Sequence, residues 1–185
     1  MSGRGVVSVE EVTGGKAMVR FVELPQALHA DDGRWAPPVM AWERYRLDPH
    51  RNPYFEHGDA VYLMARRLGR PAGRIVAHLP EPGAEGRFGF LATVDDPDVV
   101  AALVDAASAW LREQGCTTMT GPLSFEPEDE PGLLADGFDR PGTTGRPWHP
   151  PWARPLLADL GFEQVEEAST WRLPTTGGEC ALATE

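Results

Sequence analysis

The run Gly86–Pro122, GRFGFLATVDDPDVVAALVDAASAWLREQGCTTMTGP, constrains the fold more than any other part of this 185-residue chain. It reads as strand, acidic turn, amphipathic helix, strand. Arg87–Val94 supplies the first strand. Asp96 is a good N-cap, Pro97 suits the first helical position, and Asp98 adds negative charge near the positive end of the helix dipole. Val100, Leu103, Val104, Ala107, Trp110 and Leu111 fall on one apolar stripe, and Gly115 ends it. Only a short turn precedes the second strand, Thr117–Leu123. The helix is therefore a crossover, and the two strands are expected to run parallel.

Weaker signals flank this unit. Val6–Val12 is rich in β-branched residues and stops at Thr13-Gly14-Gly15, so it predicts a first strand. Ala17–Ala30 carries Pro25 in its middle and reads as a short strand or turn followed by helix. Asp31–Pro38 is a loop, and Val39–Leu47 predicts a short helix with Trp42 and Tyr45 on one side. Asp48–Gly58 is irregular. Ala60–Ala65 and Ile75–Leu79 flank Leu68-Gly69-Arg70-Pro71 as a hairpin with a long connection, and with Arg87–Val94 they make an antiparallel meander. Glu126–Pro147 is irregular, Trp152–Leu160 predicts a second helix closed by Gly161, and Gln164–Leu173 a final strand. The predicted class is α/β, a single domain over residues 1–173 with a mixed, largely antiparallel sheet flanked by helices. Residues 174–185 have little to bury and read as a frayed tail.

Charge narrows the partners. The net charge of −11 argues against nucleic acid and anionic membranes and suits an amine-bearing small molecule. The N-terminal MSGRGVVSVEEV lacks the apolar stretch of a signal peptide, and no run is long enough to span a bilayer. Cys116 and Cys180 fall in no paired spacing, so no disulfide framework or metal site is expected and the reducing cytoplasm is the natural compartment. Walker-type, dinucleotide and zinc-finger motifs and Gly-x-Ser-x-Gly are absent.

Three clusters carry candidate chemistry. Glu56-His57, followed by Asp59, places acid and base side chains at the mouth of a strand, where either could take a proton; the same residues could equally form a salt bridge or cap. Glu126–Glu130 (EPEDE) is a solvated acidic loop or a cation site, and Glu130 within it is a catalytic candidate. Trp148-His149-Pro150-Pro151-Trp152 could wall a pocket with His149 as acid or base, or plug a long loop onto the core. Trp35 and Trp42 would supply the facing wall or simply core.

The order of the elements, with helix-Leu160-Gly161-Phe162-strand near the end, resembles the GNAT N-acetyltransferase superfamily over roughly Val6–Leu173. A bacterial GNAT-like subgroup carries patterns similar to Trp35-Ala36-Pro37-Pro38, Asn52-Pro53-Tyr54-Phe55-Glu56-His57, Asp129-Glu130-Pro131-Gly132, Gly137-Phe138-Asp139 and Pro150-Pro151-Trp152. The resemblance implies acetyl-CoA or another acyl-CoA as donor. Its pantetheine would pair with the strand around Phe90, Leu91, Ala92 and Thr93, and its pyrophosphate would sit by Asp96 at the next helix N-terminus. It also implies a small amine substrate and admits a homodimer. Two positions depart from the pattern. The glycine-rich, basic pyrophosphate loop is replaced by Asp95-Asp96-Pro97-Asp98, where Pro97 removes an amide donor. Each carboxylate beside an anion at ~4–6 Å costs on the order of 1 kcal/mol or more. Leu157 stands where such enzymes often keep a proton-donating tyrosine, four residues before Gly161. Two readings follow: an acyl-CoA-dependent N-acyltransferase acting on a small amine, or a GNAT-fold protein without coenzyme A dependence that binds or transforms another small molecule in the cleft between its parallel strands.

Overall fold

The computed structural model describes residues 6–126 and 131–169. Five strands, β1 (Val7–Glu11), β2 (Asp59–Arg67), β3 (Arg70–Leu79), β4 (Gly86–Thr93) and β5 (Met119–Thr120), form one sheet in sequence order. Every neighbouring pair is antiparallel except β4 and β5, which run parallel through the crossover helix α3 (Pro97–Glu113). The mixed, largely antiparallel sheet and the parallel step match the expectation. The remaining helices are α1 (Gly15–Leu28), α2 (Met40–Arg46) and α4 (Ala153–Asp159), with one 3-10 turn at Pro53–Glu56.

Helices cover both faces of the sheet. Leu63, Ile75, Ala77 and Phe88 face α3 and its stripe of Val99, Val100, Leu103, Ala107 and Leu111, with Leu157 of α4 closing that core. On the other face Tyr62, Met64, Val76 and Phe90 pack with Phe21 and Val22 of α1, Leu47, Tyr54 and Phe125. Because both faces are covered, Val61–Ala65 and Ala72–Leu79 are buried without a break. This is why the polar-apolar alternation of these strands is weak in the sequence.

Four expectations change. Ala17–Ala30 holds no strand: α1 is continuous with Pro25 inside it. Proline leaves the Phe21 carbonyl without its intrahelical donor, and Arg74 Nη1 from β3 donates to that oxygen at 2.9 Å and to Val22 O at 3.3 Å. The hairpin connection is short, because Leu68 (φ 53°) and Gly69 (φ 76°) form a two-residue turn between β2 and β3. Strand β5 is two residues long, although the chain continues beside β4 as far as Leu123, whose N–H donates to Phe88 O at 2.7 Å. Gln164–Ser169 is not in a strand, and the rest of that segment, the tail, Cys180 and Glu130 lie outside the described residues. Among the described residues no helix is long and apolar enough to cross a membrane.

Candidate functional site

The site is organised by a bulge in β4. Pairing with β3 jumps from Arg74↔Ala92 to Val76↔Gly89, so Phe90 and Leu91 share the span of Ile75 alone. Phe90 takes up the extra length with a left-handed backbone, φ 52°. Below the bulge the neighbouring chain is sewn tightly to β4: a Cβ on Gly89 would lie 1.9 Å from Leu123 O, and one on Gly121 would lie 2.2 Å from Phe88 O. Above Gly89, among the described residues, no backbone hydrogen bond joins the two chains. A cavity of about 70 Å³ opens there, lined by Phe90, Leu91, Ala92, Glu43, Arg74 and the Trp148-His149 step, among others.

Trp148 and His149 enter this cavity from the long loop. His149 lies near the backbone carbonyl of Leu91, which favours the protonated ring. Its rim keeps some solvent contact, but Nδ1 is sealed from water and has no hydrogen-bond partner, and neither has the sealed indole Nε1 of Trp148. Burial, with a smaller contribution from nearby His29, pushes the His149 pKa down to about 4. The ring is therefore neutral at pH 7. A neutral imidazole carries one N–H and one lone pair, so Nδ1 can serve as donor or acceptor according to the tautomer. His29 packs at 5.2 Å from the Trp35 ring and edge-on at 5.4 Å from the Trp148 ring, and burial lowers its pKa against the opposing pull of Asp32.

Charge forms one wall of the cavity. Arg74 Nη2 donates to Glu43 Oε1 at 2.9 Å, and Arg46 donates to the other carboxylate oxygen. All three side chains are buried. Burial alone would raise the Glu43 pKa, but the guanidiniums of Arg74 and Arg46 outweigh it and hold the carboxyl below its usual range. The Arg46 guanidinium also lies 4.9 Å over the Phe90 ring.

His29 also borders a larger groove of about 820 Å³, bounded by Asp31, Asp32, Arg34, Thr93, Asp95, the Pro150-Pro151 pair and Trp152. At this size it can take a substrate-sized molecule, whereas the inner cavity cannot. Among the described residues its carboxylates outnumber its single arginine, Arg34, which is already tied to Asp32 at 2.9 Å. The loops that cover the site are joined: Arg34 Nη1 donates to Phe138 O at 3.0 Å, and Gly142 N to Arg34 O at 2.6 Å.

At the far end of the groove stands the N-terminus of α3, where the pyrophosphate of coenzyme A was expected. Its donors are taken. Asp98 N–H donates to Asp96 Oδ1 at 3.0 Å, and the Val99 and Val100 amides both donate to Asp96 O at 3.1 Å. Arg67 of β2 clamps Asp96 with two hydrogen bonds, at 2.9 and 3.1 Å, and reaches Asp98 at 2.9 Å. A diphosphate does not fit this turn.

The structure gathers Trp35, Phe90, Leu91, Ala92, Trp148 and His149 around the inner cavity, and Thr93 and Trp152 around the groove. It does not bring the others there. Trp42 is half exposed and stacks on Tyr45 at 5.2 Å. Glu56 and His57 are exposed at the 3-10 turn and line neither space, and Leu157 is buried in the α3-side core. Asp96 lies at the turn beyond the groove. Spacing gave no sign of His29, Glu43 or Arg74. The sequence signal that exists is a charged residue set among apolar neighbours of a strand, Arg74, and of a helix, Glu43. Among the described residues no cluster of His, Cys, Asp or Glu could hold a metal ion.

No family model matches the chain. It is 34% identical over 178 residues, 92% of its length, to the protein named bacterial ceramide synthase of Caulobacter vibrioides. The chain spans under half the length of the curated relatives it matches, 46% and 41%. Among solved structures, a tandem GNAT protein from the clavulanic acid biosynthesis pathway superposes with a TM-score of 0.55 at 20% identity, over 84% of this chain and 43% of that one. A predicted acetyltransferase from Clostridium acetobutylicum, solved with acetyl-CoA, superposes with a TM-score of 0.52 at 12% identity, over 90% of this chain and 96% of that one. Bulged β4, crossover helix and parallel β5 together give this chain the GNAT acetyltransferase fold.

Proposed function

We propose that the chain is a cytoplasmic N-acyltransferase, moving an acyl group from a thioester such as acyl-CoA to the amine of a small molecule. One observation carries the reading: at the β4 bulge a neutral imidazole offers the unpartnered Nδ1 of His149 beside the unpartnered indole N–H of Trp148. An amine entering through the acidic groove meets carboxylates first. A shift of the Trp148-His149 step would then uncover Nδ1, an acceptor in the tautomer protonated at Nε2, and the indole N–H, a donor for a carbonyl oxygen that gains charge during attack. As the C–N bond forms, the C–S bond breaks with its electron pair going to sulfur, and the proton shed by nitrogen ends on the thiol. The names of the relatives agree in chemistry, since ceramide is an N-acylated long-chain amine and the neighbouring folds are acetyltransferases.

The test is thiol release. Purified protein is mixed with an acyl thioester and a panel of primary amines, from long-chain amino alcohols to aminoglycosides. Free thiol is followed colorimetrically and the amide by mass spectrometry. Amine-dependent release that falls at least tenfold in His149→Ala supports the reading. An amine that binds by calorimetry but yields no amide with any thioester overturns it in favour of a GNAT-fold binding protein.

A further inference from the structure

Which thioester the site accepts is decided at the β4–α3 turn, an inference that rests on the acyl-transfer reading. A diphosphate lodged on the first turn of a helix needs free amides and an uncompensated positive end. This turn has neither. Pro97 contributes no N–H, the Asp98 amide is held by the Asp96 carboxylate, and the next two amides are held by the Asp96 carbonyl. The nearest guanidinium, Arg67, is committed to Asp96 and Asp98, with the side chains of Arg67 and Asp96 each only 20% exposed. An incoming diphosphate would have to break that clamp and then face Asp95, Asp96 and Asp98 at short range. Among the described residues, the groove leading inward from the turn has Arg34 as its one arginine, already paired with Asp32, and no lysine. The inner end is different: there the cavity at the bulge is lined by the rings of Phe90, Trp148 and His149, and its carboxylate, Glu43, is paired with Arg74.

We propose that this chain recognises its acyl donor from the thioester end alone, through the acyl group and the adjoining pantetheine arm, and gains nothing from the nucleotide diphosphate. The donor class is acyl thioesters of pantetheine-type thiols, whether the arm ends free, on a carrier or on coenzyme A.

The experiment compares kcat/KM for one acyl group on coenzyme A and on pantetheine, with the same amine and full-length protein. The two values are expected within about threefold of each other. The double variant Asp96→Asn/Asp98→Asn retains a good N-cap while removing two carboxylates. It is expected to improve acyl-CoA by tenfold or more through KM and to leave acyl-pantetheine unchanged, with folding checked by a thermal melt. A wild-type preference for acyl-CoA of a hundredfold or more would overturn the inference while leaving acyl transfer intact. Absence of thiol release from both donors with every amine would instead overturn the acyl-transfer reading and this inference with it.

Discussion

Gly89→Ala tests the seam that bounds the cleft from below. The added methyl carbon would sit 1.9 Å from Leu123 O and 2.6 Å from Leu123 C, both backbone atoms that no rotamer change can move. A carbon and a carbonyl oxygen come no closer than about 3.3 Å even in favourable contacts, so β4 and the Leu123 chain must part by more than about 1 Å. Two hydrogen bonds stand in the way. Leu123 N–H donates to Phe88 O at 2.7 Å, and His78 Nε2 donates to Leu123 O at 3.0 Å. Both exceed hydrogen-bonding range after such a shift. Overpacking costs about 1–3 kcal/mol and each lost bond about 1 kcal/mol net, which gives roughly 3–5 kcal/mol. For a domain of this length that is a fall in Tm of roughly 6–20 °C. Circular dichroism melts measure it, with Gly33→Ala as the control, since nothing lies within 4 Å of a Cβ there. If Gly89→Ala melts within 2 °C of wild type, the two chains are not in contact at this point. The cleft would then extend down β4, and the site would not be confined to the bulge.

Two further outcomes concern buried charge. His78 accepts from Tyr54 Oη at 2.8 Å and is driven by burial to a pKa of about 4, while the unfolded chain titrates near 6.5. A depressed histidine pKa means that the unfolded state takes up the proton first on acidification. Stability is therefore flat above about pH 6.5 and falls toward pH 4, by about 2 kcal/mol at pH 5 from His78, with His149 acting in the same sense. Urea midpoints that do not change between pH 7 and 5 would contradict this. Glu43→Gln leaves Arg46 and Arg74 without the carboxylate they share, and should cost about 3–5 kcal/mol in urea unfolding. A loss below 1 kcal/mol would show that the trio contributes little to holding the fold.

What could be read from the sequence was whatever is settled within a few residues. Helix α3 was legible because cap, proline and apolar period all lie inside it, and Asp96 caps it as expected. The parallel step followed from the short connection after it. Helix α1 was not legible, because the partner for the carbonyl that Pro25 strands comes from Arg74, 53 positions from Phe21. The two-residue hairpin turn was missed because Leu68 holds a positive φ that turn rules reserve for Gly, Asn or Asp. At the site, the unusual step Trp148–His149 pointed to the cavity, yet its depth depends on a bulge that no local signal announces. Glu56 and His57 looked reactive as neighbours and lie apart from both spaces.

The buried Glu43–Arg46–Arg74 trio is a poor device for stability, since apolar side chains of similar size commonly do as well. Its location gives it another use. Arg74 holds the carbonyls opened by Pro25, so it fixes the bend of α1 against β3. Glu43 transmits that position to Arg46, whose guanidinium lies over Phe90, the residue whose left-handed backbone costs about 1–2 kcal/mol. Phe90 is held again by the Phe125 ring at 5.0 Å, and the Trp148-His149 step lines the same cavity. A strained residue persists only where its surroundings over-determine it. Here those surroundings come from α1, α2 and β3, and they converge on the stretch of β4 where the proposed reaction would place its acyl group.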